Sequence, residues 1–216
     1  MPDAGVKESL KFYAKELKLP TFGKLEESIN EYRSGQSLEE FDLSKLQHVK
    51  PEYVKQLASC GFIDRHENLV LIGSPGTGKT HLMTAIGVKA CLLGYKVLFC
   101  NATTLASDLK EARDSYQLRR LEKTISGMDL LLLDELSYAR FSQEESELLF
   151  KVIAERSERS STMITTNLEF SKWTEMFSNA TLVAALVDRL TYHSHVLNMN
   201  GNSYRLQCQR RDLCSN

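Results

Sequence analysis

One eight-residue stretch, GSPGTGKT at positions 73–80, constrains the fold of this chain more than any other feature. It matches the pattern Gly-x-x-x-x-Gly-Lys-Ser/Thr. Its glycines let successive backbone N–H groups turn inward around phosphate oxygens. Such a loop needs a strand to deliver it and a helix whose positive N-terminal end completes the cradle. The flanks fit: LVLI (69–72) reads as a short apolar strand, and HLMTAIGVKACLLG (81–94) as a helix. Gly73, Ser74, Pro75, Gly76, Thr77, Gly78, Lys79, Thr80 and His81 are therefore the expected nucleotide-binding group. In it, Lys79 is a point charge for the β- and γ-phosphates, and the Thr80 hydroxyl is a ligand for Mg²⁺.

From Asn68 onward, apolar runs alternate with amphipathic stretches. Further strands are expected at 96–100, 130–134, 162–167 and 195–199, with helices near 79–93, 103–114, 117–126, 144–159 and 180–191. Apolar strands that alternate with helices predict an α/β fold of three layers, a mostly parallel five-stranded sheet covered on both faces. Asn200-Gly201 lies between two strand-like stretches and signals a β-hairpin. Ahead of this core, residues 5–33 read as helical, with a break at LPTFG, and a linker follows. A helix with Pro51 in its first turn and Gly61 at its end is expected next. The organisation so predicted is a short helical region and linker over 1–50, a core over 51–206 and a basic tail over 207–216.

The second chemical signal is LLLLDEL (130–136). Four leucines make a buried strand, and Asp134 falls at its carboxyl end, where ligands bind in open α/β sheets. Asp134 is the expected Mg²⁺ carboxylate. Glu135 follows at once and suits polarising a water that attacks the γ-phosphate. STMITTN ends a third strand in Asn167, an amide placed to orient that water or touch the γ-phosphate. The Asp-Glu pair favours hydrolysis over transfer to an acceptor. Arg189, on a predicted helix, is either half of a surface salt bridge or a cation for charge on a transferring phosphate, as are Arg156 and Arg159.

The net charge is -1, so nothing global argues for a nucleic-acid partner, and any such surface must be local. The best local candidate is the helical stretch holding Lys110, Arg113, Arg119, Arg120 and Lys123. Those cations form either a solvated helix face or a set of contacts to a DNA backbone. His193 and His195 are expected to be structural. Five cysteines include no C-x-x-C pair, and Cys91 and Cys100 read as small core residues, which fits a reducing compartment. No apolar run is long enough to span a membrane, and the N-terminus lacks the apolar stretch of a secretory signal.

With the loop, the Asp-Glu strand and the Asn-ended strand together, the chain resembles the IstB-like transposition helper ATPases and, more widely, the DnaC-type helicase loaders. The stretches that carry the likeness run from NLVLIGSPGTGKT through DLLLLDELSYARFSQEESELLFKV and STMITTNLEFSKWTEMF to ALVDRLTYHSHV, about two-thirds of the chain. The resemblance implies an AAA+ fold, with the Asn167 strand between the loop strand and the Asp134 strand. It implies ATP hydrolysis with Mg²⁺, stimulated by DNA. Glu135, Asn167 and Arg189 would be its catalytic group, with Arg189 offered to a neighbouring subunit. Duplex DNA, a transposase and self-association with bound ATP are the implied partners, in a prokaryotic cytoplasm. The same core would also serve a DnaC-like loader or a monomeric nucleotide-gated binding module. The stretch between LPTFG and the core is shorter than the family's usual helical region.

Overall fold

The computed structural model describes residues 49–137, 140–177, 179–201 and 203. The helices expected over 5–33, the linker, the second strand of the hairpin and the tail over 207–216 lie outside the described residues.

The described chain opens with α1 (Pro51–Leu57), its proline in the first turn and extended Lys50 before it. This helix stops short of the expected end. Cys60 takes a left-handed conformation, φ 63°, and Gly61 starts a one-turn helix, α2 (Gly61–Asp64), instead of closing the first. The reversal turns Phe62 and Ile63 into the core.

Five strands follow: β1 (Asn68–Ile72), β2 (Val97–Asn101), β3 (Leu130–Asp134), β4 (Ser161–Thr166) and β5 (Ser194–Asn198). Between them run α3 (Lys79–Leu92), α4 (Ala102–Asp114), α5 (Leu118–Ser126), α6 (Gln143–Arg156), a 3₁₀ turn (Phe170–Glu175) and α7 (Ala180–Thr191). The sheet order is β2-β3-β4-β1-β5, and every described pairing is parallel. β4 thus lies between β1 and β3, as the resemblance implied.

The leucine run of β3 follows from its place inside the sheet, between β2 and β4. Successive side chains point to opposite faces. Leu130 and Leu132 pack with α1, α2 and α3, while Leu131 and Leu133 pack with α4 to α7. Both faces are dry, so neither position tolerates a polar residue. Cys60 and Cys100 are buried and Cys91 partly so, and burial pushes their thiols up to about 11, 12 and 12 respectively.

α6 ends at Arg156, three residues before its expected end, where Ser157 turns extended (φ -53°, ψ 132°). Arg156 is 1% exposed. Its Nη1 donates to the carbonyls of Ile125 (2.6 Å) and Met128 (3.0 Å), its Nη2 to that of Ser161 (2.8 Å), and its Nε to Thr162 Oγ1 (3.3 Å). The guanidinium thereby ties the end of α5 to the starts of β3 and β4. Desolvation lowers its pKa to about 10, so it stays charged at neutral pH. At the opposite flank, Tyr53 Oη lies 2.5 Å from His195 Nδ1, and His195 Nε2 lies 2.9 Å from Glu67 Oε2. Arg65 grips Glu67 with two bonds and holds its carboxyl at about 2. The structural role expected for His195 is thus to join α1 to β5.

Replacing Arg156 by leucine takes a donor from three buried carbonyls and a hydroxyl, of which the Ile125 carbonyl keeps the Met128 N–H. At about 1–3 kcal/mol for each buried group left unpaired, with part of the loss relieved by relaxation, the variant should lose roughly 3 kcal/mol or more. Denaturant unfolding of Arg156→Leu beside the parent measures this.

Candidate nucleotide-binding site

The carboxyl ends of β2, β3, β4 and β1 bring Asn101, Asp134, Thr166 and Ile72 to one edge of the sheet. The loop 73–78 leaves β1 there and enters α3. Gly76 (φ 79°) and Gly78 (φ 89°) are left-handed, which only glycine adopts without strain. Lys79, 7% exposed, folds back over the loop, its Nζ donating to the carbonyls of Gly73 and Ser74 at 2.7 Å each. Thr77 Oγ1 donates to the same Ser74 carbonyl at 2.9 Å. The loop is therefore held as a ring around its own lysine, at the N-terminus of a 14-residue helix. First-turn amides have no partner inside a helix, and with the helix dipole they favour an anion.

Asp134 is the convergence point. Its Oδ1 accepts from Thr80 Oγ1 at 3.1 Å and also from Thr165 Oγ1 of β4. Thr165 Oγ1 in turn accepts the Glu135 N–H at 2.9 Å. Glu135 itself is left-handed, φ 57°, which is uncommon for a residue with a Cβ. Two contacts hold it: the Thr165 bond and Asn101 Nδ2, which donates to Glu135 Oε2 at 3.1 Å. Asn101 also caps α4, its Oδ1 accepting from Thr103 N at 3.0 Å. Asn167 follows β4 and is exposed, its N–H donating to Ser137 Oγ at 2.7 Å.

The structure thus brings Gly73 to His81, Asp134, Glu135 and Asn167 to one edge. It does not bring Arg189 to the loop: that side chain is exposed on the last turn of α7, 5.3 Å above the Phe150 ring, and donates to Ala185 O. Of its two rivals, Arg156 is buried with its donors engaged, and Arg159 is exposed.

The five cations divide. Lys110 and Arg113 on α4 both face Glu144 of α6, the first at 3.9 Å and the second as a close ion pair. Arg119, Arg120 and Lys123 on α5 are exposed and have no carboxylate partner among the described residues. Between the two helices stands Tyr116, 95% exposed and left-handed at φ 59°. Sequence patterns missed Asn101, Thr165 and Tyr116. Asn101 alone carried a signal, as a cap residue directly after a strand.

A parallel sheet in this order, with the phosphate loop after β1 and an Asp-Glu pair after β3, defines an AAA+ ATPase fold. Solved structures agree. AMPPCP-bound DnaA from Aquifex aeolicus superposes with a TM-score of 0.63 at 19% identity, over 83% of this chain and 55% of that one. A DnaC helicase loader superposes with a TM-score of 0.60 at 24% identity, over 68% and 86%. The family described as IstB-like ATP binding protein matches residues 24–212, and the chain belongs to that family. Among its relatives is the ATP-binding protein named for insertion sequence IS21 of Pseudomonas aeruginosa, 39% identical over 81% of this chain and 66% of its own length. The counterpart in IS5376 of Geobacillus stearothermophilus is 34% identical over 81% and 69%. The chain thus spans about two thirds of the length of these relatives.

The double duty of Asn101 can be separated. Asn101→Ser keeps a cap acceptor but loses the amide donor to Glu135, whereas Asn101→Ala loses both. The alanine variant should therefore be less stable than the serine one by about 1 kcal/mol, the worth of an N-cap. Thermal unfolding of the two variants side by side reads the difference.

Proposed function

We propose that the chain binds ATP with Mg²⁺ at residues 73–81, hydrolyses it, and acts on duplex DNA as the ATP-dependent helper of a transposase. The observation that carries this reading is that Lys79, folded over its own loop, stands at the same sheet edge as the chain of bonds joining Thr80, Asp134, Thr165 and Glu135, on a member of the IstB-like family. The unit doing this work would be residues 51–206, with 1–50 and 207–216 as appendages.

The donors present fit Mg²⁺. Thr80 and Asp134 offer two hard oxygens 3.1 Å apart. Magnesium characteristically takes one or two protein oxygens plus phosphates and water. Among the described residues there is no cluster of three or more His, Cys, Asp or Glu side chains, the set an all-protein cage would need. When bound, the ion supplies charge neutralisation at the β- and γ-phosphate oxygens.

The protein groups do the rest. Loop amides and Lys79 hold the phosphates. Glu135 accepts a proton from the attacking water as its oxygen bonds the γ-phosphorus, and ADP leaves from the opposite side. Asn167 orients that water. Arg189, at the outer end of α7, neutralises charge on the phosphate bound by an adjacent copy, so ATP becomes part of the contact between subunits. Arg119, Arg120 and Lys123 meet the DNA backbone, with Tyr116 between the helices beside them. Lys110 and Arg113 contribute less, because Glu144 already offsets them. Among the described residues, no helix is long and apolar enough to cross a membrane.

Calorimetry with a non-hydrolysable ATP analogue should show binding by the parent and none by Lys79→Ala. Glu135→Gln should bind the analogue normally yet turn ATP over about 10²- to 10⁴-fold more slowly, the range for loss of a general base. Normal analogue binding by Lys79→Ala would refute the site.

Replacing Arg119, Arg120 and Lys123 together by alanine should make the slope of log K against log salt shallower by about 3, whereas the Lys110 and Arg113 pair should change it by less than about 2. Equal loss per cation in the two sets would contradict the division made by Glu144. Recovery of a replicative helicase, and not a transposase, on the immobilised chain would assign it to helicase loading.

A further inference from the structure

The segment after β5 does not leave the site. Met199 N donates to Ile72 O at 2.6 Å, extending the β1–β5 pairing one step past the strand. Asn198 Oδ1 then accepts from Asn200 N at 2.9 Å, a turn that bends the chain over the phosphate loop. The contact is close. A Cβ on Gly73 would lie 2.5 Å from the Met199 carbonyl carbon and 2.8 Å from Asn200 N. One on Gly76 would run into Ser203 Oγ. Two glycines of the loop therefore serve this segment as well as the phosphates.

Asn200 makes the polar contact. Its Oδ1 accepts from Ser74 N at 3.0 Å and from Ser74 Oγ at 3.2 Å. The Ser74 carbonyl, on the other side of the same residue, accepts from Lys79 Nζ at 2.7 Å and Thr77 Oγ1 at 2.9 Å. Ser74 is thus clamped from both ends. Its N–H belongs to no helix or strand, and its neighbour Pro75 has no N–H to offer.

Resting on the reading of the loop as an ATP site, we infer that Met199 to Gly201, with Ser203, form a strap that fixes the loop in its phosphate-ready shape, with Asn200 as the positioning residue. Asn200 touches neither phosphate nor water in this role. It acts through Ser74 on the place of Lys79. Preorganisation of this kind lowers what nucleotide binding must spend on ordering the loop.

The test uses the full chain and a non-hydrolysable ATP analogue. In the nucleotide-free parent, the Ser74 amide should exchange with solvent slowly, although Ser74 is exposed; exchange at the unprotected rate would overturn the inference without any variant. Asn200→Ala should free that amide, weaken the analogue roughly 3- to 10-fold, as expected for one lost hydrogen bond, and raise KM for ATP by a similar factor with kcat within about twofold. Asn200→Asp keeps the acceptor and should restore protection of Ser74. A fall in kcat at unchanged KM, or unchanged exchange and affinity in Asn200→Ala, would sink the strap. If the parent itself fails to bind the analogue, the ATP reading fails instead, and the exchange measurement still reports on the clamp.

Discussion

The hydroxyls that converge on Asp134 Oδ1 hold the site together. Thr80 comes from the helix that follows the phosphate loop, Thr165 from β4, and Asp134 itself from β3. Three elements far apart in sequence meet at one buried oxygen. The meeting is possible only because β4 lies between β1 and β3, so that the strand bearing Thr165 separates the loop strand from the acidic one. A carboxylate 6% exposed is costly without such donors. Once it has them, it sets the first turn of α3 and the backbone of Glu135, which bonds the same Thr165 hydroxyl. The loop, the acidic pair and the sheet order are one interlocked arrangement.

What the sequence disclosed followed from local chemistry and periodicity. The four leucines of β3 announced a strand buried on both faces, and the glycine spacing of 73–78 announced the loop. What stayed hidden depends on which elements lie side by side. Thr165 reads as one more β-branched residue of a buried strand until β4 is placed beside β3. Glu144 reads as a first-turn acid of α6 until that helix packs against α4 and takes up Lys110 and Arg113. Arg156 reads as a surface cation at a helix end, and three carbonyls from other elements draw it inside. Asn200 looked like a turn residue, and the strap geometry gives it Ser74 as a partner.

Glu135 shows how the sheet edge and the outer helices are coupled. Its left-handed backbone stores strain of order 1–3 kcal/mol, which persists only where neighbours over-determine it. One of those neighbours, Asn101, is also the N-cap of α4. The carboxylate that would activate water is therefore bonded to the residue that caps α4, and α4 continues through the Tyr116 turn into α5, which carries Arg119, Arg120 and Lys123. The base of α5 is pinned to the sheet by Arg156, and the start of α4 is capped by Asn101.

α4 is anchored along its length as well. Leu105, Ala106 and Leu109 are buried in the cluster that holds Leu148, Leu149 and Val152 of α6. The ion pairs of Lys110 and Arg113 with Glu144, each worth about 1 kcal/mol or less at a surface, are a minor part of that contact. Packing thus fixes the helix on one side and the Asn101 cap fixes its start on the other. Because the same asparagine donates to Glu135, the acidic pair takes its place from a helix that the core already holds.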